Sequence, residues 1–250
     1  MRNGTKARRS AAASGFWETA KTLIYAVLIA VAVRTFLYEP FNIPSSSMVP
    51  TLLVGDYLFV SKYSYGYSKH SLPFSLPLFS GRIFGSDPQR GDVVVFKLPR
   101  DNKTDFIKRI VGLPGDRIQM IAGVLHINGE PVKRERIADF YSERGGNCHP
   151  CAQYVETLPN GVRHRIVEMS DAEIKDNTPE YVVPPGHYFA MGDNRDNSDD
   201  SRGIVGFIPA ENLVGRAEIL FYSTDGSAEL WEFWKWPEAT RWSRLFHWIR

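Results

Sequence analysis

The segment FWETAKTLIYAVLIAVAVRTFLYEP, residues 16–40, constrains this chain more than any other. Its uncharged run from Thr22 to Val33 is 12 residues long, short against the ~20 apolar residues that cross a bilayer as a helix. A run of that length fits the apolar region of a secretory signal, and Ala30-Val31-Ala32 resembles a small-residue cleavage site. Lys21 and Arg34, however, lie toward the ends, where long side chains can carry their charge to the membrane surface. Residues 16–38 then supply 23 positions, enough to span. Apolar character also continues past Ala32 through Phe36, Leu37, Tyr38 and Phe41, which a removed signal would not need. The balance favours a retained single-pass anchor at residues 16–38; a mature N-terminus at Val33 would mark a cleaved signal instead. Arg2, Lys6, Arg8 and Arg9 precede the run. The positive-inside rule therefore places a basic tail, residues 1–15, in the cytoplasm and everything after the anchor outside it.

Charge narrows the function classes. The chain is +2 overall, and residues 1–15 hold four basic residues and no acid, which leaves the remainder at −2. A nucleic-acid binder would carry a basic body, so no nucleic-acid partner is expected. The basic tail speaks for membrane lipids.

From Gly55 on, short β-like runs alternate with Gly, Pro and Asp turns. GDYLFVSKYSYGY and RGDVVVFKLP open on Gly-Asp. In DFIKRIVGLPGDRIQMIAGVLHINGEPV, Asn128-Gly129 between alternating residues is a hairpin signal. No long segment beyond the N-terminal run sustains a 3.6-residue apolar period. The expected fold is mainly β: an antiparallel, barrel-like or two-sheet body over residues 39–120 and 181–228, with an inserted β subdomain at 121–180, behind one transmembrane helix. Residues 66–90 read as an irregular loop of unusual apolar content, and residues 134–180 as polar and weakly patterned.

Two further features stand out. Cys148 and Cys151 in NCHPCAQ are open to three readings: a short-loop disulfide, a redox pair, or half a zinc site. The preceding SERGGN is a loop signal, and His149 and His164 are weak metal candidates, so a structural disulfide in an oxidising compartment is favoured and no metal is expected. The tail at 229–250 holds Trp231, Trp234, Trp236, Trp242 and Trp248 among Lys and Arg. This composition suits a membrane surface, or an aromatic cluster packed on the body.

Chemistry centres on FNIPSSSMVPTL, residues 41–52, where three serines follow the anchor. A serine becomes a nucleophile only beside a base. The six histidines sit in no recognisable triad motif, and no G-x-S-x-G elbow is present. A lysine can serve when apolar burial disfavours its charge. Lys108 in DFIKRIVGLPGD is the candidate, with Phe106 and Ile110 as same-face neighbours, although an exposed strand lysine would be the ordinary case. MGDNRDNSDDSR, residues 191–202, could supply hydroxyls and ion pairs to fix that lysine. Arg195 stands where a calcium ligand would be needed, which argues against a calcium loop.

IPSSSMVPTL, RGDVVVFKLP, DFIKRIVGLPGD and MGDNRDNSDDSR, in this order and at these separations, resemble the motifs of the bacterial type I signal peptidases, serine endopeptidases with a Ser–Lys dyad. The resemblance runs from Arg34 to Tyr222. It implies Ser47 as nucleophile, Lys108 as general base, and Ser45 with the Ser47 N–H as oxyanion hole. It further implies Ser198 as the hydroxyl that orients the lysine, and Arg109, Asp193, Asp200 and Arg202 as ion pairs near the site. Substrate pockets would draw on Phe41, Ile43, Leu52, Val95 and Ile107. Ser46 stands where the family often carries glycine, so a positive φ there would mean strain. Some members also carry two N-terminal spans; one is visible here. The resemblance implies removal of signal peptides after small residues, without a cofactor. Preprotein signal peptides are the implied partners, near the secretion translocon, at the periplasmic face of the inner membrane. Two rivals stay in view: a self-cleaving Ser–Lys protease, which would want a DNA-binding domain, and an anchored β domain with a binding role.

Overall fold

A computed structural model describes residues 4–72, 75, 79–142, 150–229 and 231–249, with side chains from Trp17 onward. The N-terminal helix α1 runs from Gly4 to Phe36. Within it Trp17–Phe36 is long and apolar enough to cross a membrane, at mean hydropathy 1.5. Leu23, Ile24, Val27, Leu28 and Ile29 are all exposed. Apolar side chains that find no protein partner around a helix want a lipid one. The helix end is tied to the body. Arg34 pairs with Glu39 at 2.8 Å, Thr35 is buried, Tyr67 Oη donates to the Phe36 carbonyl at 2.8 Å, and the Lys62 N–H donates to the Leu37 carbonyl at 2.9 Å.

The rest is mainly β, in three antiparallel sheets. The largest has eight strands: β1 (Tyr38–Asn42), β2 (Asp56–Ser61), β14 (Leu213–Ser223), β3 (Val93–Lys97), β4 (Asp105–Gly112), β12 (His187–Met191) and β13 (Ile208–Pro209) in that order, with β15 (His247–Trp248) on β14. A second sheet orders β11 (Tyr181–Val182), β5 (Arg117–Ile121), β6 (Val124–Ile127) and β7 (Glu130–Pro131). In it β6 pairs with β5 and with β7, and β11 with β5. Their turns are Ala122-Gly123 (φ 47° and 73°) and Asn128-Gly129 (φ 57° and 85°). Two positive φ values in a two-residue hairpin match the right-handed strand twist, which is why Asn-Gly serves there.

The third sheet is β8 (Lys133–Phe140), β9 (Cys151–Thr157) and β10 (Arg163–Glu168), ordered β10-β9-β8. This is the region that reads as weakly patterned. The reason is physical: no residue of β8 is fully buried, so no face needed an apolar alternation. Cys151 is buried and disulfide-bonded, while Cys148, its expected partner, lies outside the described residues.

One core cluster, with Ile43, Met48, Leu52, Leu58, Val60, Val93 and Val95, lies under the serine segment. A second, with Val94, Phe96, Ile110 and Tyr188, holds the other face of β3 and β4. The C-terminal tail both packs and projects. β15 pairs with β14 and Arg244 binds Asp56 at 2.5 Å, yet Trp231, Phe233, Trp234, Trp242, Phe246 and Trp248 are exposed.

Candidate active site

The serine segment is set by its apolar neighbours. After β1 the chain turns, with the Ile43 N–H donating to Asp56 and the Gly55 N–H to Ile43. Met48 and Leu52, each fully buried and joined by a hydrogen bond of 2.9 Å, sink one side of the turn into the core. Ser47 is thereby held in a fixed position, 8% exposed.

Lys108 comes from β4, which lies between β3 and β12 with Val94 opposite Lys108. It is 3% exposed, so the exposed-strand alternative fails. Nζ donates to Ser47 Oγ at 2.7 Å and to the Ile107 carbonyl at 2.8 Å, and lies 5.4 Å from the Phe106 ring centre. Burial pushes the Lys108 amine down to about 8, with Asp200, Asp199 and Asp193 opposing the shift from a distance. A buried amine that loses its proton more easily than free lysine, in hydrogen-bond contact with a serine hydroxyl, has the arrangement that a nucleophile–base pair requires.

Ser45 Oγ lies 3.4 Å from Ser47 Oγ. Ser198 is buried against this site, but its hydroxyl makes no hydrogen bond, and the Lys108 amine binds Ser47 and the Ile107 carbonyl instead. Gly192 explains the close approach. A Cβ there would meet Ser198 Oγ at 2.2 Å and the Ser47 carbonyl at 2.5 Å. Only glycine lets residues 191–202 lie this close to the serine segment.

Four charged residues form two buried pairs beside the dyad. Arg109 meets Asp193 in a two-pronged contact at 2.8 and 2.7 Å and also donates to the Gly91 carbonyl. Asp193 accepts from Thr51 as well, which ties the pair to the serine segment. Arg202 meets Asp200 at 3.0 and 2.8 Å, and Asp200 accepts the Gly192 N–H at 3.1 Å. Burial works against the charge of both aspartates, but Arg109 and Arg202 hold their carboxyls below the usual range.

A cavity of about 610 Å³ opens in front of Ser47 and Lys108. Phe41, Ile43, Val95 and Ile107 line it, together with Ser45, Ser46, Ser47 and Ser198. Leu52 does not: it is fully buried beneath, where its role is to seat the serine turn. Ser46 has no positive φ, so it occupies the family's glycine position without strain. Its carbonyl accepts from Asn194 Nδ2 at 3.2 Å and its Oγ from Asn197 Nδ2 at 2.9 Å, while the Ser47 carbonyl accepts the Asn194 N–H at 3.1 Å. No group of three or more His, Cys, Asp or Glu able to hold a metal ion occurs among the described residues.

Sequence reasoning assigned no part to Asn194, Asn197, Gly192, Thr51 or Lys175. The first three lie inside a recognised motif, and Thr51 ends another. Lys175, which lines the cavity and donates to the Ser198 carbonyl, had no local signal.

The model of the family described as signal peptidase, peptidase S26, matches residues 16–222. A signal peptidase I of Rickettsia canadensis is 43% identical over 212 residues, which cover 82% of this chain and 79% of that protein. The signal peptidase I of Rickettsia conorii is 41% identical over 230 residues, covering 89% and 84%. A crystal structure of a signal peptidase I from Enterococcus faecalis is 25% identical, with 52% of this chain and 97% of that one covered and a TM-score of 0.32.

Proposed function

The chain belongs to the signal peptidase family, peptidase S26, and from that premise we propose that Ser47 and Lys108 are the dyad with which it removes signal peptides from preproteins. The observation that carries this assignment is the 2.7 Å contact between a buried lysine amine and a serine hydroxyl at the floor of an open cavity.

Neutral Lys108 takes the Ser47 proton as Oγ attacks the scissile carbonyl, and returns it to the leaving amine. The Ser47 N–H and the Ser45 hydroxyl receive the oxyanion. Ser198 supports the lysine: its free hydroxyl accepts the remaining N–H once the amine is neutral and its lone pair faces Ser47. The acyl-enzyme is then hydrolysed by water, without a cofactor. Phe41, Ile43, Val95 and Ile107 give the cavity apolar walls. Walls of this kind suit small side chains at the first and third positions before the cut.

The one N-terminal apolar helix is consistent with a single-pass anchor. Its orientation follows from the basic residues before it: residues 1–15 on the cytoplasmic side, the β body on the periplasmic side near the translocon. The body comprises residues 39–120 and 181–228 with an insertion at 121–180. The exposed tryptophans of 229–250 suit the lipid surface. Incubation with a preprotein carrying an A-x-A site tests the assignment. Cleavage should be abolished by Ser47→Ala, and by bulky residues in the A-x-A site of the substrate. The Ser46→Ala variant, which loses only the Asn197 contact to its hydroxyl, should keep substantial cleavage; inactivity there, with Ser47→Ala active, would move the nucleophile.

A further inference from the structure

The sheet β8–β10 lies outside the cavity, yet it reaches the serine segment through an unbroken series of contacts. Glu156 on β9 is 1% exposed and binds Arg195 in a two-pronged contact, Nη1 to Oε1 at 3.0 Å and Nη2 to Oε2 at 2.5 Å. Arg195 is also 1% exposed and belongs to the loop between Met191 and Arg202. His164 on β10 is buried between this pair and the Arg109–Asp193 pair, its Nε2 3.3 Å from Glu156 and 3.9 Å from Asp193. Burial and the nearby Arg109 push the His164 ring down, with Glu156 and Asp193 opposing. The main chain adds a second connection. The Val167 N–H donates to the Asp193 carbonyl at 2.9 Å, and the Arg195 N–H to the Val167 carbonyl at 3.0 Å. Asp196 caps the end of β10 by accepting from the Met169 and Ser170 N–H groups. From residues 193–196 the series continues to the nucleophile through Asn194 and Asn197, which bind Ser46 and Ser47.

We infer that the third sheet is a positioning element of the active site, and that Glu156 and Arg195 are positioning residues: their buried pair sets the residue 193–197 loop, and the loop sets Ser47 against Lys108. A fully desolvated ion pair is weak evidence for stability, because the two desolvation costs offset its attraction. It is strong as a geometric constraint, because a planar guanidinium meets a carboxylate in one orientation only. The reacting geometry tolerates little error; a misplacement of about 1 Å can cost on the order of a hundredfold in rate. The inference rests on Ser47 as the nucleophile.

The test uses the full chain in lipid vesicles with a preprotein substrate, and compares Glu156→Gln, Arg195→Met, the double variant and Ser47→Ala. Each single change leaves a buried charge without its partner and should lower both the melting temperature and kcat. In the double variant no charge is stranded, and the Gln amide oxygen can still accept from His164 Nε2, so the melting temperature should return toward the native value. If the pair positions the loop, kcat of the double variant stays on the order of ten- to a hundredfold low with KM near native. Recovery of kcat along with the melting temperature would overturn the inference, since the pair would then serve stability alone. If Arg195→Met does not fold, Glu156→Gln, which keeps the side-chain shape, decides: native kcat there overturns it. Native turnover in the positioning variants with Ser47→Ala inactive would sink this inference and leave the dyad standing. Activity that survives Ser47→Ala would sink both.

Discussion

Two lysines in this molecule are buried to the same degree, 3% exposed each, and the structure treats them oppositely. Lys62, at the end of β2, meets the Glu39 carboxylate at 2.8 Å and the Ser71 carbonyl at 2.8 Å. Lys108, on β4, meets a hydroxyl and a carbonyl, and its nearest carboxylates act only from beyond hydrogen-bond contact. Both amines lose water. At Lys62 a carboxylate in contact offsets that loss, and the result is a structural ion pair. At Lys108 nothing in contact carries a negative charge, and the proton becomes easier to release. The difference teaches that burial alone does not make a base; the first neighbour decides what burial does.

The largest effect that could break the contrast is on turnover. Lys108→Met and Ser47→Ala should each lower kcat by about 10⁴-fold or more with the fold retained, as when members of a catalytic unit are removed. Circular dichroism checks the fold and preprotein cleavage the rate. A Lys108→Met enzyme with substantial activity would reduce Lys108 to a second Lys62. Next is Ser45→Ala, which should lower kcat about 10²-fold while KM changes little, the pattern of a lost oxyanion donor. A rise in KM at native kcat would instead place Ser45 in substrate binding.

The pH profile sharpens the comparison further. In the proposed mechanism Lys108 works neutral, and burial pushes its amine down to about 8. Activity should therefore climb with pH up to about 8 and level off, falling about tenfold per unit below it. A climb that continues to the ordinary lysine range, about 10.4, would mean that burial leaves Lys108 unchanged. The smallest effect on turnover belongs to Lys62→Met, which should leave kcat of the folded enzyme native. It should lower stability by about 2 kcal/mol, because Glu39 loses a buried partner but keeps Arg34. Chemical denaturation beside the cleavage assay separates the two.

Much of this was legible in the sequence. β3 reads as the continuous apolar run Val93–Phe96 because both of its faces are buried, and Asn128-Gly129 gave its turn away through a backbone requirement. Ser47 and Lys108 could be placed only through the order of four motifs, since nothing local separates Lys108 from an exposed strand lysine. Sheet β8–β10 was obscure because its outer strand buries little. Glu156 was illegible for a different reason. It lies in a polar stretch, 39 residues before Arg195, and its meaning exists only once the two are folded together. Leu52 was expected in a substrate pocket from the family resemblance alone, yet it is fully buried in the core cluster under the serine segment.

The junction between α1 and β1 has a consequence of its own. Three contacts and the burial of Thr35 fasten the helix end to the body within the space of Arg34 to Glu39, with no slack chain between. A tethered domain would float at whatever height its linker allowed. With α1 as the proposed anchor, the altitude of the cavity would follow from the thickness of the lipid around the helix, with about 1.5 Å of rise for each residue the bilayer covers or uncovers. Membrane composition would then be a dial on where along an emerging chain the proposed dyad can cut.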